Sequence, residues 1–108
     1  MNQENDLRGK TIALAQTIDY APGAIVSKTL LNKPTGTLTL FSFDAGQGLS
    51  EHTSPYDATV HILEGSGELT IGGEVLVAKA GELVIMPANV PHDVQAKVPF
   101  KMLLIMIR

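Results

Sequence analysis

The sequence predicts an all-β domain, a sandwich or barrel of short antiparallel strands. Short apolar or alternating runs follow one another along the chain, and glycine, proline, asparagine and aspartate separate them. The turn signals recur at roughly 8 to 12 residues, which is typical of sandwiches and barrels. No stretch long enough for a full helix has a 3.6-residue apolar period. The 108 residues, 44% of them hydrophobic, suffice for one compact domain with a single core.

These turn signals predict an N-terminal arm of residues 1–23 and a barrel of residues 24–108. One helical turn is expected in the arm at residues 11–17, before Pro22 and Gly23 end it. The predicted strands are residues 24–31, 37–43, 49–52, 59–63, 68–71, 74–78, 83–86, 92–95 and 100–107.

Three local features support these boundaries. Gly72 and Gly73 stand between alternating runs and suit a tight hairpin with positive φ, and Asn89 also tolerates the left-handed region. The nearly unbroken apolar run of residues 100–107 indicates a strand that is buried on both faces.

Charge and composition exclude several classes of function. The net charge of −3 comes without a run of basic residues, so neither nucleic acid nor a membrane surface is an expected partner. The chain has no cysteine, which excludes a disulfide scaffold, a thiolate metal site and a thiol nucleophile. The first ten residues are polar and no apolar stretch is long enough to span a bilayer, so a cytoplasmic protein is expected.

The three histidines are the candidate ligands or bases, because their unperturbed titration lies near neutral pH. His52 ends a short predicted strand, and His92 follows Pro91 at the start of another. His61 lies within an apolar run, where alternation places it on the face opposite to Val60 and Ile62, so a structural role is favoured for it.

The glycine and histidine segments resemble the two sequence motifs of the cupin superfamily. In the first motif, Gly46, His52 and Gly65 match, while Ser54 stands where a second histidine belongs and Ala58 where a glutamate belongs. In the second motif, three residues match and two differ: Gly81, Pro87 and His92 match, whereas Asn89 and Ala96 replace a glycine and an asparagine.

The flanking segments resemble small, mostly uncharacterised bacterial proteins of the cupin-2 conserved β-barrel family. This resemblance implies a jelly roll of two antiparallel sheets and a homodimer built through terminal strands. It also implies a metal held by three histidines and a glutamate, of which only His52 and His92 remain. Such metals serve isomerases, decarboxylases and oxygenases, so a metal-dependent enzyme is one expectation.

Two imidazoles alone make a poor metal site, because catalytic zinc and non-haem iron centres use at least one further protein ligand. Asp57 is the nearest carboxylate, but a regular strand at Ala58 would turn it away from the interior. His61 would join the site only through a one-residue bulge. The third donor therefore stays open between His61 and Asp57.

Small side chains at two ligand positions predict an enlarged, mostly apolar pocket near His52 and His92. Its expected lining is Ser54, Ala58, Val60, Ile62, Met86 and Met102. Three hypotheses remain: a divalent metal that polarises a small substrate, a metal-free site for a small metabolite, and a dimeric interaction module with a vestigial pocket.

Overall fold

The structure is a computed structural model that describes residues 6–108. In this part of the chain a single helical turn, α1 (Leu14–Thr17), precedes nine strands. The strands are β1 (Ile25–Lys33), β2 (Gly36–Phe43), β3 (Gly48–His52), β4 (Ala58–Glu64), β5 (Ser66–Ile71), β6 (Glu74–Lys79), β7 (Leu83–Met86), β8 (His92–Gln95) and β9 (Phe100–Ile107). Each predicted strand is present, and every boundary lies within two residues of its predicted place.

The strands form two antiparallel sheets that enclose the main core. The larger sheet has the order β1-β2-β9-β4-β7 and the smaller one β3-β8-β5-β6. Short connections carry the chain back and forth between the sheets, and β9 lies between β2 and β4, which are distant from it in sequence. The all-β barrel predicted from the sequence is confirmed.

Side-chain alternation along the strands divides the larger sheet into an inner and an outer face. On β4, Ala58, Val60 and Ile62 are buried in the main core, whereas Thr59 and His61 alternate with them. At one end of the interior the rings of Phe43 and Phe100 stack with centroids 4.6 Å apart. That end is completely filled.

The outer face carries a second apolar cluster, against which the N-terminal segment packs. Leu40 and Leu103 are buried there together with Ile18. The Ser42 hydroxyl donates to the Asp19 carbonyl at 2.8 Å, and the Lys101 ammonium donates to the Ala15 carbonyl at 2.6 Å. The arm therefore covers the first half of β9 on its outer side.

Strand β9 is buried on both faces over Phe100–Leu103 but becomes exposed toward its end. The prediction of a strand buried throughout was therefore right for its first half. The remaining half projects beyond the cover that the arm provides.

The turns also agree with the sequence. Gly72 and Gly73 have φ values of 58° and 86°, and Asn89 has φ 64°. Left-handed backbone at these positions joins β5 to β6 and leads into β8. No helix in residues 6–108 is long and apolar enough to cross a membrane.

Candidate functional site

The two motif histidines meet at one end of the barrel because β3 and β8 are neighbours. His52 is the last residue of β3 and pairs in register with His92, the first residue of β8. A register shift between Leu49 and His52 marks an irregularity in β3 just before the histidine. The two rings lie edge to face, with centroids 4.4 Å apart and planes inclined at 69°.

Both imidazoles are oriented by a hydrogen bond to a main-chain carbonyl. His52 Nδ1 lies 2.7 Å from the Ser50 oxygen, and His92 Nδ1 lies 3.1 Å from the Val90 oxygen. A carbonyl oxygen can only accept, so each Nδ1 must donate its proton. In the neutral ring Nε2 is then left with a free lone pair, which is the arrangement found in metal-binding histidines.

The two histidines differ in exposure. His92 is 3% exposed and forms part of the wall, whereas His52 is exposed at the rim. The site therefore joins the barrel interior to solvent, and a ligand would reach His52 first.

A cavity of about 200 Å³ opens beside the two rings. Its wall is mostly apolar, and in residues 6–108 no acidic side chain contributes to it. The lining residues are Leu49, His52, Ser54, Ala58, Met86, His92, Val94, Met102, Leu104 and Met106.

Four of the six residues predicted to line a pocket face this cavity: Ser54, Ala58, Met86 and Met102. Val60 and Ile62 share the inner face with Ala58, but they are fully buried in the core, deeper in the barrel. Alternation correctly places all three on one face, yet it carries no information on depth. The fully packed end of the barrel begins beyond Ala58.

The cavity wall also includes four residues that the sequence motifs do not mark: Leu49, Val94, Leu104 and Met106. For two of them a signal existed, since Leu104 and Met106 alternate with Met102 along β9 and share its inner face. Leu49 and Val94 pair across β3 and β8, and this pairing is not visible in the sequence.

His61 does not reach the cavity. It lies in register with Leu83 on one side and Leu103 on the other, and Leu103 belongs to the outer cluster. The β4 to β9 register is regular from Ala58 to Ile62, so no bulge turns His61 inward.

Asp57 is engaged in the loop that precedes β4. Its carboxylate accepts a hydrogen bond from the Ala88 amide at 2.9 Å, and nearby the Asn89 amide donates to the Ser54 carbonyl at 2.7 Å. The Ser54 hydroxyl in turn accepts from the Tyr56 amide at 3.1 Å. Asp57 and Ser54 thus tie together the two loops that carry the histidine motifs.

The chain belongs to the cupin domain family, whose sequence pattern it matches over residues 39–107. The match covers both histidine segments and most of the two sheets. Gly46, Gly65 and Gly81, the motif glycines, all have positive φ, which explains why the motif requires glycine there.

Solved structures of small cupins resemble the whole domain. A conserved protein of unknown function from Streptococcus pyogenes is 36% identical with a TM-score of 0.88, covering 93% of this chain and 88% of its own. A cupin 2 conserved barrel domain protein from Leptotrichia buccalis is 41% identical with a TM-score of 0.87. That match covers 90% of this chain and 47% of the Leptotrichia chain, so this chain spans about half of it.

More distant structural neighbours include a salicylate 1,2-dioxygenase from Pseudoaminobacter salicylatoxidans. It is 21% identical with a TM-score of 0.72, over 81% of this chain and 27% of the dioxygenase. At this identity the likeness extends to the fold alone. No curated protein matched the sequence.

The donor set does not fit the divalent metal that cupins commonly bind. Within residues 6–108, no group of three or more histidine, cysteine, aspartate or glutamate side chains is placed to hold an ion. Ser54 and Ala58 occupy the places of the missing histidine and glutamate, and neither His61 nor Asp57 replaces them. Of the family's four metal ligands, this chain retains the two imidazoles of His52 and His92.

Proposed function

We propose that the cavity beside His52 and His92 is a binding site for a small ligand held by imidazole lone pairs. One observation supports it above the others: each Nδ1 is engaged by a backbone carbonyl, which in the neutral ring leaves Nε2 as an acceptor. Two acceptors set next to an apolar cavity of about 200 Å³ have the composition of a small-molecule site.

Two classes of ligand satisfy such lone pairs, a metal ion and a metabolite with hydrogen-bond donors. A divalent ion would need its remaining ligands from water or from a bound substrate, because a carboxylate is absent from the cavity wall in the described residues. If the protein is a metal-dependent enzyme, water or the bound substrate must therefore complete the coordination of the metal. A metabolite needs no further donor from the protein.

A vestigial pocket is the weaker alternative. Two rings held by their Nδ1 atoms beside a cavity of about 200 Å³ support a binding role over a vestigial one. Packing alone favours filling such a space, because an unfilled cavity lowers stability.

The test is metal analysis of untagged protein purified without chelator, together with thermal denaturation against panels of metals and metabolites. A ligand present at 100 times its Kd should stabilise the fold by about 2.7 kcal/mol. His52→Ala and His92→Ala should abolish this stabilisation, whereas His61→Ala, on the opposite face, should retain it. The proposal fails if no metal or metabolite stabilises the wild type, or if His61→Ala is affected equally.

We also propose that the chain forms a homodimer through the outer face of the larger sheet. Leu83 and Ile85 on β7 are 53% and 59% exposed, and Ile107 on β9 is 67% exposed. The register places Ile85 beside Thr59 and Thr59 beside Ile105, so apolar residues of β7 and β9 share this face on either side of Thr59. A second copy would cover a patch of this kind.

Light scattering of the wild type and of Ile85→Glu tests this assembly. The wild type should be dimeric at micromolar concentration, and the charged variant should be monomeric with its circular dichroism unchanged. Val75→Glu, on the exposed edge strand β6, is the matched control and should remain dimeric. A monomeric wild type contradicts the proposal.

A further inference from the structure

Three of the chain's four methionines, Met86, Met102 and Met106, line the histidine cavity. Methionine often fills irregular gaps in a core, because its side chain is unbranched and flexible. Met86 and Met102 are buried members of the main core cluster and Met106 packs against it, yet all three also border the same open space.

The strand register places two of these methionines around Ala58. Ala58 pairs with Met86 on β7 and with Met106 on β9, so the three residues form one row across the inner face. Directly paired residues have Cβ atoms about 4.5–5.5 Å apart. All three residues border the cavity, and Ala58 carries a single methyl group at the place where the cupin motif has its glutamate.

The donor groups among the lining residues are therefore soft or borderline, and none of them is a carboxylate. They are two imidazole nitrogens and three thioether sulfurs, with the Ser54 hydroxyl already engaged by the Tyr56 amide. Thioether ligands favour Cu(I), whereas Mg²⁺, Ca²⁺ and Mn²⁺ prefer carboxylate, carbonyl and water oxygens.

Charge also favours a monovalent ion. In an apolar cavity an ion loses hydration, and this loss rises with the square of the charge. A divalent ion surrounded by neutral donors would leave two uncompensated charges. A monovalent ion leaves one, close to the open rim at His52.

We infer that the cavity binds one Cu(I) ion through the Nε2 atoms of His52 and His92 and through the sulfur of Met86 or Met106. This inference rests on the proposed function, since it uses the same two lone pairs, and it names the class of ligand. The small residue at position 58 and the thioethers beside it replace a hard, anionic site by a soft, neutral one.

Anaerobic titration with Cu(I) against a chromogenic Cu(I) chelator tests the inference on the full chain. The wild type should bind one equivalent, and X-ray absorption of that complex should show a copper–sulfur shell beside the nitrogen shell. The double variant Met86→Leu/Met106→Leu should lose the sulfur shell and bind Cu(I) at least about tenfold more weakly. Leucine conserves volume, so its thermal stability should change little.

Two controls separate the outcomes. His61→Ala should bind Cu(I) as the wild type does, and Zn²⁺ titrated in parallel should bind more weakly than Cu(I). A wild-type complex without a sulfur shell, or Zn²⁺ binding at least as tight as Cu(I), overturns the inference while leaving the histidine site intact. If Cu(I) does not bind but a metabolite stabilises the wild type through His52 and His92, the inference fails and the proposed function stands.

Discussion

The two ends of the barrel interior share strand β9, yet one is filled and the other is open. At the filled end, Phe43 stacks on Phe100 and both rings are fully buried. At the open end, Ala58 and Ser54 present small side chains opposite His52 and His92, and a cavity of about 200 Å³ remains. Strand alternation is identical at both ends, so side-chain volume decides which end becomes the core and which becomes a site.

Packing at the filled end also restricts the size of the side chains that neighbouring strands can carry. A Cβ atom at Gly67 would lie 2.8 Å from the Phe100 ring, so the smaller sheet needs a glycine there to let the ring in. At the open end, Ala58 lies between Met86 and Met106 and borders the cavity. The stability of the domain is therefore expected to reside at the aromatic end, and the open end is free to vary for function.

The largest expected effect is that of Phe100→Ala, which should lower the free energy of unfolding by about 3–5 kcal/mol because it opens a cavity in packed core. Met106→Ala, at the open end, should lose about 1 kcal/mol, since it enlarges a space that already exists. Urea denaturation measures both. Equal losses would contradict the division into a filled and an open end.

Ala58→Glu should convert the open end into a site for a hard ion. Two histidines and one carboxylate are the donor set of non-haem iron centres. Without metal, the buried carboxyl group should lower stability by about 1–3 kcal/mol. Saturating Fe²⁺ or Mn²⁺ should restore it, as followed by thermal denaturation. Ala58→Gln is the uncharged control. A similar metal response in both variants would contradict the prediction that the carboxylate creates the metal site.

Gly67→Ala should destabilise the domain by about 1–3 kcal/mol, because the added methyl group meets the Phe100 ring. Combining it with Phe100→Leu should cost less than the sum of the two single changes, since the shorter side chain vacates the contact. A double-mutant cycle in urea measures this coupling. Strict additivity would show that the ring does not impose the glycine.

The smallest expected effect concerns the arm, where the Tyr20 hydroxyl donates to the Glu64 carboxylate at 2.6 Å. Burial, then this hydrogen bond and the carboxylate charge, raise the pKa of Tyr20 well above its usual value near 10. The folded chain thus keeps a proton that the unfolded chain loses above pH 10. The stability supplied by Tyr20 is complete below pH 10 and declines as pH rises beyond it.

Tyr20→Phe should therefore lower stability by about 1 kcal/mol at neutral pH, a modest value because the Glu64 side chain is nearly half exposed. The difference between the variant and the wild type should shrink above pH 10. Urea denaturation at pH 8 and pH 10.5 checks this. A difference that stays constant would mean that the hydroxyl group does not titrate as described.

Much of the fold could be predicted because its determinants are local. Gly72, Gly73 and Asn89 mark turns that need left-handed backbone, and a two-residue alternation marks the strands between them. The cover of the outer face was not predictable in the same way. The Lys101 ammonium donates a hydrogen bond to the carbonyl of Ala15, which is 86 residues away in sequence. No local sequence pattern near either residue indicates that contact.

For the site, the sequence interpretation identified both histidines and the loss of the other motif ligands. It left the third donor open between His61 and Asp57, and neither lies in the cavity wall. It also grouped Val60 and Ile62 with Ala58, although these two side chains belong to the filled core. Alternation reports the face of a strand, whereas depth in the barrel depends on the neighbouring strands.

The sequence by itself determined the strand positions, the face that each side chain takes, and the replacement of two motif ligands by Ser54 and Ala58. Only the tertiary structure decided that His52 and His92 hold their Nδ1 protons on carbonyls and that Met86 and Met106 flank Ala58. The physical reason is that turns and alternation are encoded within a few residues. Register between strands distant in sequence depends on the packing of the whole barrel.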